Sequence, residues 1–161
     1  MFKKIMVPLD GSELAECVIP YVEDFIDQGQ VESIVFVRVI KPVISPASFE
    51  DGMAYIPEDW SKVEAEKKAF AESYLNNVVS RLKQDNVKFK TEVLVGRIGD
   101  SLLDYIKAND FDLILIATHG RSGLSRWVRG SVADKILSAS HIPVLMVRAT
   151  DSISEGQELR P

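Results

Sequence analysis

The sequence predicts an α/β fold: a five-stranded parallel sheet flanked by helices on both faces. Short apolar runs alternate with longer amphipathic segments in the order β-α-β-α-β-α-β-α-β, which is typical of parallel sheets with right-handed crossovers. The runs are also apolar almost throughout, as strands buried on both faces are. Ligands of such sheets bind beyond the carboxyl ends of the strands, where the strand order reverses.

The first part of the chain predicts two strands with one helix between them. The strands are Lys4 to Leu9 and Ser33 to Ile40, and the second gives the strongest strand signal in the sequence. The helix is expected to begin at a cap on Ser12, to kink at Pro20 and to end near Gly29. Its predicted inward face consists of Leu14, Val18, Tyr21, Val22 and Phe25.

The stretch from Lys41 to Trp60 has no periodicity and contains three prolines and a glycine. It is too long for an ordinary connection, and both a functional flap and a variable surface excursion are consistent with its composition. A long helix is expected to begin at Asp59 or Ser61 and to end near Lys83. Its predicted buried stripe consists of Val63, Phe70, Tyr74, Val78 and Leu82.

The second half of the chain predicts three more strands and two helices. The elements are, in order, a strand from Val87 to Val95, a helix with its cap at Asp100 or Ser101, a strand from Asp112 to Ala117, a helix from Val132 to Ser138 and a strand from Ile142 to Val147. Pro143 lacks an N–H group and fits the start of a strand or a sheet edge. The last helix is expected to turn Val132, Ile136 and Leu137 inward.

Composition narrows the class of protein. A chain of 161 residues with 46% apolar residues fits one domain with a full core. The net charge of -5 disfavours a nucleic-acid binder. A single cysteine, Cys17, suits a reducing compartment, and the sequence shows neither a signal peptide nor an apolar run of membrane-spanning length. We therefore expect a cytoplasmic protein that binds neither nucleic acid nor membranes, with a flexible tail over residues 149–161.

Two strand ends carry the residues best suited to bind a nucleotide. Asp10 follows the first strand, where a carboxylate can accept hydrogen bonds from both ribose hydroxyls. The fourth strand runs into a glycine-containing loop, and a helix begins near Gly130 and Ser131, where N–H groups can bind phosphate. A turn carboxylate at Asp10 and a simple helix cap at Ser131 are the alternative interpretations of these residues.

These motifs together resemble the universal stress protein family. The resemblance rests on Val7-Pro8-Leu9-Asp10-Gly11-Ser12, Ala117-Thr118-His119-Gly120-Arg121-Ser122-Gly123, Gly130-Ser131-Val132 and Ile142-Pro143-Val144. It covers residues 1–148 and implies a Rossmann-like fold similar to that of the adenine nucleotide alpha hydrolases. The ATP-binding branch of the family has glycine, two residues, glycine, nine residues and then Gly-Ser or Gly-Thr. Here Ala117 replaces the first glycine, and its methyl group is the feature that argues for weaker binding.

The resemblance also implies the residues of an ATP site, with or without Mg²⁺. Asp10 would hold the ribose, and the backbone of Val39 would contact the adenine edge. The remaining positions around the ribose and phosphates would be Pro8, Ala117, His119, Gly120, Arg121, Gly130, Ser131 and Val132. The family further implies a homodimer that pairs through the last strand, Ile142 to Val147, and a protein partner that the sequence does not identify.

Two other classes of function compete with a stress-response ATP-binding module. One is an ATP-hydrolysing or adenylate-transferring enzyme, although the chain lacks the Gly-Lys-Ser/Thr ending of a P-loop and the Ser-Gly-Gly-x-Asp-Ser loop of related hydrolases. Asp10, His119 and Ser131 do not form a nucleophile-elbow pattern, so no catalytic residue is assigned. The other class is a nucleotide-free interaction protein with a vestigial pocket, for which Ala117 is the main argument.

Overall fold

Alternating strands and helices build a five-stranded parallel sheet in the computed structural model, which describes residues 2–29, 31–43, 59–82, 86–118 and 131–148. The strands are β1 (Lys4–Pro8), β2 (Ser33–Ile40), β3 (Lys88–Val95), β4 (Leu113–Thr118) and β5 (Val144–Arg148). The helices are α1 (Ile19–Asp27), which follows a 3₁₀ turn at Ala15–Val18, then α2 (Asp59–Arg81), α3 (Ile98–Lys107) and α4 (Ser131–Ala139). The predicted fold class is confirmed.

The sheet order is β3-β2-β1-β4-β5, so the chain winds outward from β1 in both directions. All four neighbouring pairs are parallel. The strand order therefore reverses between β1 and β4, which lie side by side although more than 100 residues separate them. This is the place where α/β sheets of this type bind ligands.

Side chains alternate across the sheet and divide the core into two layers. Ile34 and Phe36 of β2 face the 3₁₀ turn, α1 and α2, whereas Val35 and Val37 face α3 and α4. All four side chains are almost fully buried, which explains why the sequence of this strand is continuously apolar. Each face of the sheet is thus covered by two helices.

Pro20 and Gly29 mark the limits of α1 for different reasons. Pro20 lies in the first turn of α1, where its missing N–H costs no helical hydrogen bond, so the helix starts there and the preceding turn is 3₁₀. The predicted cap at Ser12 is wrong: the cap residue of the 3₁₀ turn is Leu14, which makes no side-chain cap, and Ser12 Oγ accepts a hydrogen bond from the N–H of Ala15 at 3.1 Å. Gly29 ends the helix with φ +68°, a conformation in which glycine is favoured.

The predicted buried stripe of α2 is wrong over its first half. Val63 and Phe70 are 37% and 70% exposed, and the buried residues are Ala71, Leu75 and Val78 of the helix and Leu82 directly after it. The sheet below α2 ends at Ile40, so the amino-terminal turns of α2 extend past the core and their apolar residues do not reach it. The stripe is correct where α2 crosses the sheet.

Three smaller predictions are also corrected. Tyr21 and Leu137 are 46% and 39% exposed, because Val22 and Ile136 fill the buried rows of their helices. Neither Asp100 nor Ser101 caps α3: the cap residue is Arg97 and makes no side-chain cap. Asp100 instead forms an ion pair with Lys135 of α4, and this hydrogen bond holds the pKa of the Asp100 carboxyl below its usual value.

Candidate functional site

The carboxyl ends of β2, β1 and β4 lie next to one another at the reversal of the strand order. Pro8 is level with Val37, and the N–H of Leu9 continues this pairing by donating to the Val37 carbonyl at 2.9 Å. Asp10 follows two residues after Pro8, and Val39 lies two residues after Val37, so both residues lie at the carboxyl ends of neighbouring strands. The structure thus brings together two predicted site residues that lie 29 positions apart in the sequence.

Asp10 closes a tight turn at the end of β1. Its Oδ1 accepts hydrogen bonds from the Ser12 N–H at 2.8 Å and from the Ser12 hydroxyl at 2.6 Å. The carboxylate is exposed at the carboxyl edge of the sheet, and the two hydrogen bonds fix its orientation there. The turn role and the ligand role considered for Asp10 are therefore compatible, because the turn positions the carboxylate at the edge where a ribose would bind.

Gly11 follows in a left-handed conformation with φ +88°. A Cβ atom at this position would lie 2.8 to 3.0 Å from the guanidinium atoms of Arg38. The backbone conformation favours glycine here, and a side chain would in addition have to displace the Arg38 guanidinium. The guanidinium of Arg38 therefore lies directly against the turn that holds Asp10.

Aromatic rings of α2 hold the other side of Arg38. The centre of the guanidinium is 5.6 Å from the ring of Phe70 and 5.1 Å from that of Tyr74, both within cation–π range. The Nη1 atom is shielded from water and has no hydrogen-bond partner within the described part of the chain. Packing against Gly11 and the two rings thus fixes the position of the Arg38 guanidinium, and its Nη1 group has no acceptor among the described residues.

Tyr74 connects this cluster to the 3₁₀ turn. Its hydroxyl donates to Glu16 Oε1 at 2.9 Å, and the other oxygen of Glu16 accepts from Arg81 at 2.6 Å. Burial, followed by the hydrogen bond to Glu16, raises the pKa of Tyr74 far above its ordinary value, although the nearby Arg38 charge acts in the opposite direction. Tyr74 therefore remains a neutral hydrogen-bond donor at physiological pH.

A groove of about 480 Å³ opens between the end of β2 and the first turns of α2. Apolar side chains and backbone form much of its wall, and charged groups lie at several points around it. The lining residues are Arg38, Val39, Ile40 and Lys41 from the β2 side and Val63, Glu66, Lys67 and Phe70 from α2. A groove with this lining suits a ligand that has a flat apolar part and an anionic part.

The opposite side of the site is formed by β4 and α4. Ala117 is half-buried and pairs with Val147 of β5 in the sheet, so its extended conformation accepts a Cβ atom without strain. Ser131 and Val132 are the first residues of α4, and Ser131 is exposed. Four further predicted site residues, His119, Gly120, Arg121 and Gly130, lie outside the described residues.

Arg38, which packs beside the Asp10 turn, is not among the site residues predicted from the sequence. The available signal was a charged residue inside the apolar run of β2, which is buried on both sides over most of its length. Such a residue needs a special environment, because a charge is costly to bury without partners. Among the described residues, no group of three or more His, Cys, Asp or Glu side chains is arranged to hold a metal ion.

The fold is that of the doubly wound α/β proteins, in which ligands bind where the strand order reverses. The model of the universal stress protein family matches residues 1–148, and the chain belongs to this family. A universal stress protein of Methanocaldococcus jannaschii, MJ0531, is 30% identical over 152 residues, with 92% of this chain and 83% of that protein covered.

Solved structures show the same fold. The protein MJ0577 superposes with a TM-score of 0.74 at 25% identity, over 94% of this chain and 99% of its own. An Arabidopsis thaliana universal stress protein family member with AMP bound has a TM-score of 0.63 at 16% identity, over 92% of each chain. A universal stress protein in complex with cAMP has a TM-score of 0.61 at 15% identity, over 92% of this chain and 98% of its own.

The described ranges contain the four α-helices α1 to α4. None of them combines the length and the apolar character needed to cross a bilayer.

Proposed function

We propose that this universal stress protein is an ATP-binding signalling module that turns ATP over very slowly or not at all. The observation that carries the proposal is the sheet order, which brings Asp10, Val39 and Ala117 to neighbouring strand ends. Two solved structures of the same fold contain bound cAMP and bound AMP. Both ligands share the adenosine part of ATP, which is the part assigned to Asp10 and Val39.

The ligand would lie across the carboxyl edge of the sheet. The adenine would bind at the end of β2, where the Val39 backbone offers hydrogen-bonding groups and the groove offers apolar walls. The ribose would bind at Asp10, and the phosphates would approach Ser131 and Val132 at the start of α4. A helix N-terminus favours anions through its free N–H groups and its dipole. Mg²⁺ would bind through the phosphates.

Calorimetric titration with ATP and AMP, each with and without Mg²⁺, tests this function. We expect a Kd below about 100 μM, equivalent to about −5.5 kcal/mol. Asp10→Asn should weaken binding by about tenfold, because a neutral amide oxygen accepts hydrogen bonds from the ribose hydroxyls more weakly than a charged carboxylate does. Asp110→Asn is the matched control, since Asp110 is exposed and lies just before β4, at the amino ends of the strands and away from the site. Absence of binding at millimolar ATP and AMP would overturn the proposal.

The catalytic status is tested separately by measuring phosphate release from ATP. Among the described residues no group of three or more His, Cys, Asp or Glu side chains is arranged to hold a metal ion, and the hydrogen bond from the Ser12 hydroxyl to Asp10 belongs to the turn after β1, so we expect less than one turnover per protein during the measurement. Sustained release of many phosphates per minute would contradict this part of the proposal and favour the enzymatic alternative.

We also infer that the protein forms a homodimer through β5. The two edge strands differ in character: the exposed residues of β3 are Lys88, Lys90, Glu92 and Val95, three of which are charged, whereas those of β5 are Leu145 and Arg148. Charged side chains protect an edge strand against pairing, and an apolar edge favours it. The β5 edge is therefore the better candidate for pairing with a second copy.

A further inference from the structure

The guanidinium of Arg38 has an unusual environment. Gly11 on one side and the rings of Phe70 and Tyr74 on the other fix its guanidinium, while Nη1 is buried without a hydrogen-bond partner among the described residues. A buried donor with no acceptor costs free energy, and native structures retain few of them. Nη1 itself is closed off from solvent, but Arg38 also lines the groove, and a guanidinium held in place by packing is suited to bind an anionic oxygen of a ligand there.

The charges around the groove point in the same direction. Three of its lining side chains are cationic, namely Arg38, Lys41 and Lys67, and one is acidic, Glu66. This local excess of positive charge occurs in a chain whose net charge is -5. The groove therefore attracts an anion, although the protein as a whole repels one.

An ordinary 5′-nucleotide does not place an anion in this groove. In the proposed orientation its phosphates lie toward α4, on the β4 side of Asp10, whereas the groove lies on the β2 side. Neighbouring strands are about 4.8 Å apart, so the ends of β2 and β4 are separated by about 10 Å with β1 between them. The neutral adenine alone does not account for three cations on the β2 side.

We propose that the site selects an adenine nucleotide that carries a second phosphate on the 2′ or 3′ hydroxyl of its ribose. Arg38 would bind this phosphate, with Lys41 and Lys67 contributing charge, and Asp10 would accept a hydrogen bond from the remaining ribose hydroxyl. Because the guanidinium lies against Gly11, the residue after Asp10, the two groups are placed to contact adjacent positions of one ribose. The inference rests on the proposed function and adds a ligand class to it.

The chemistry of the residues supports this division of roles. A planar guanidinium presents paired N–H donors that match phosphate oxygens, whereas an ammonium acts as a point charge. In dinucleotide-binding α/β folds generally, a carboxylate binds the free ribose hydroxyls and a nearby arginine accommodates an added phosphate. Arg38 would therefore determine specificity, and the two lysines would mainly increase affinity.

Calorimetric titration with 5′-ADP, 2′,5′-ADP and 3′,5′-ADP tests the proposal, since the three compounds contain the same number of phosphates. We expect one of the two ribose-phosphorylated isomers to bind at least about tenfold more tightly than 5′-ADP. The preferred isomer identifies the position of the second phosphate. Equal affinity for all three compounds would overturn the inference and leave the proposed function intact, whereas failure of all three to bind would overturn both.

Variants then assign the preference to the groove. Arg38→Gln should reduce the preference to less than about threefold while 5′-ADP still binds. Lys67→Gln removes an exposed charge from α2 without changing the core and should reduce the preference by about two- to threefold. Lys88→Gln removes the same charge and should leave the preference unchanged. Lys88 is the first residue of β3 and lies at the amino ends of the strands, away from the groove. A preference that persists in both Arg38→Gln and Lys67→Gln would overturn the assignment.

Discussion

Gly11 joins the two charged groups of the site at the scale of single residues. It stands between Asp10 and Ser12, whose hydrogen bonds form the turn, and it provides the surface against which Arg38 packs. A side chain at this position would interfere with the turn and with the cation at once. The residue contributes no functional group, yet it decides how close the carboxylate and the guanidinium can be.

Gly11→Ala should therefore destabilise the protein more than an ordinary glycine substitution. The left-handed backbone conformation, φ +88°, costs alanine about 1 kcal/mol, and displacement of Arg38 should raise the total to about 2–3 kcal/mol. Gly29→Ala is the matched control, because φ is +68° and no atom lies within 4 Å of the added methyl group. Urea unfolding of both variants measures the difference; equal losses would show that Arg38 moves away without cost.

Sequence patterns predict residues of this kind unevenly. Asp10 could be found because an acidic residue directly after a buried strand is a recognisable pattern. Arg38 could not be assigned, since its role depends on Phe70 and Tyr74, which lie more than 30 positions away in the sequence. The same separation explains why Phe70 was predicted to be buried: its spacing fits the apolar stripe, but its neighbour is a cation at the edge of the core.

At the scale of elements, α2 is joined to the rest of the fold in two ways. Its second half packs on the sheet through Ala71, Leu75 and Val78, and its middle is linked to the 3₁₀ turn by the hydrogen bond from Tyr74 to Glu16. The first way is apolar and independent of pH. The second depends on the protonated Tyr74 hydroxyl, so its contribution to the stability of the protein should fall at alkaline pH.

Tyr74→Phe tests this connection. At pH 7 the variant should be less stable by about 1 kcal/mol, because Glu16 loses a hydrogen-bond donor. The pKa of Tyr74 is raised in the folded state, so above pH 10 the unfolded chain loses the phenolic proton first and binds fewer protons than the folded one. The wild-type unfolding free energy should then fall by up to about 1.4 kcal/mol per pH unit from this group, and the variant should lack this contribution.

Urea unfolding of the wild type and of Tyr74→Phe at pH 7, 10 and 11 measures the effect. The difference between their unfolding free energies should become smaller as the pH rises. Tyr105, whose pKa is also raised by burial, is present in both proteins and cancels in the comparison. A gap at pH 11 as large as the gap at pH 7 would contradict the role assigned to the Tyr74 hydroxyl.

At the scale of the whole molecule, the sequence predicts the identity of the elements better than their arrangement. The bounds of β2 match the predicted strand, and those of α4 and β5 differ from prediction by one or two residues. The strand order has no such signal, because a strand buried on both faces has the same apolar pattern wherever it lies in the sheet. The neighbouring positions of β1 and β4, which create the site, follow from tertiary structure and from the resemblance to the family.

The arrangement of the sheet leaves β3 and β5 at its two edges, and we expect a second copy of the chain to pair at β5. Pairing of β5 with the β5 strand of a second copy would place Leu145, which is 38% exposed, near the same residue of the other copy. Light scattering after size-exclusion chromatography should give twice the mass of the chain at micromolar concentration. Leu145→Glu should then produce monomers, because like charges facing each other across paired strands are destabilising.

Lys90→Glu is the control for this variant, since it introduces an acidic residue at an exposed position of the other edge strand, β3. The control should remain dimeric and should unfold at the same urea concentration as the wild type. A monomeric wild-type protein at micromolar concentration would reject the dimer, and a dimer that persists in Leu145→Glu would place the interface elsewhere. The β5 edge is favoured over the β3 edge for one physical reason: three charged side chains on β3 would have to lose their hydration on pairing, whereas β5 exposes one charged side chain, Arg148, and Leu145 gains from leaving water.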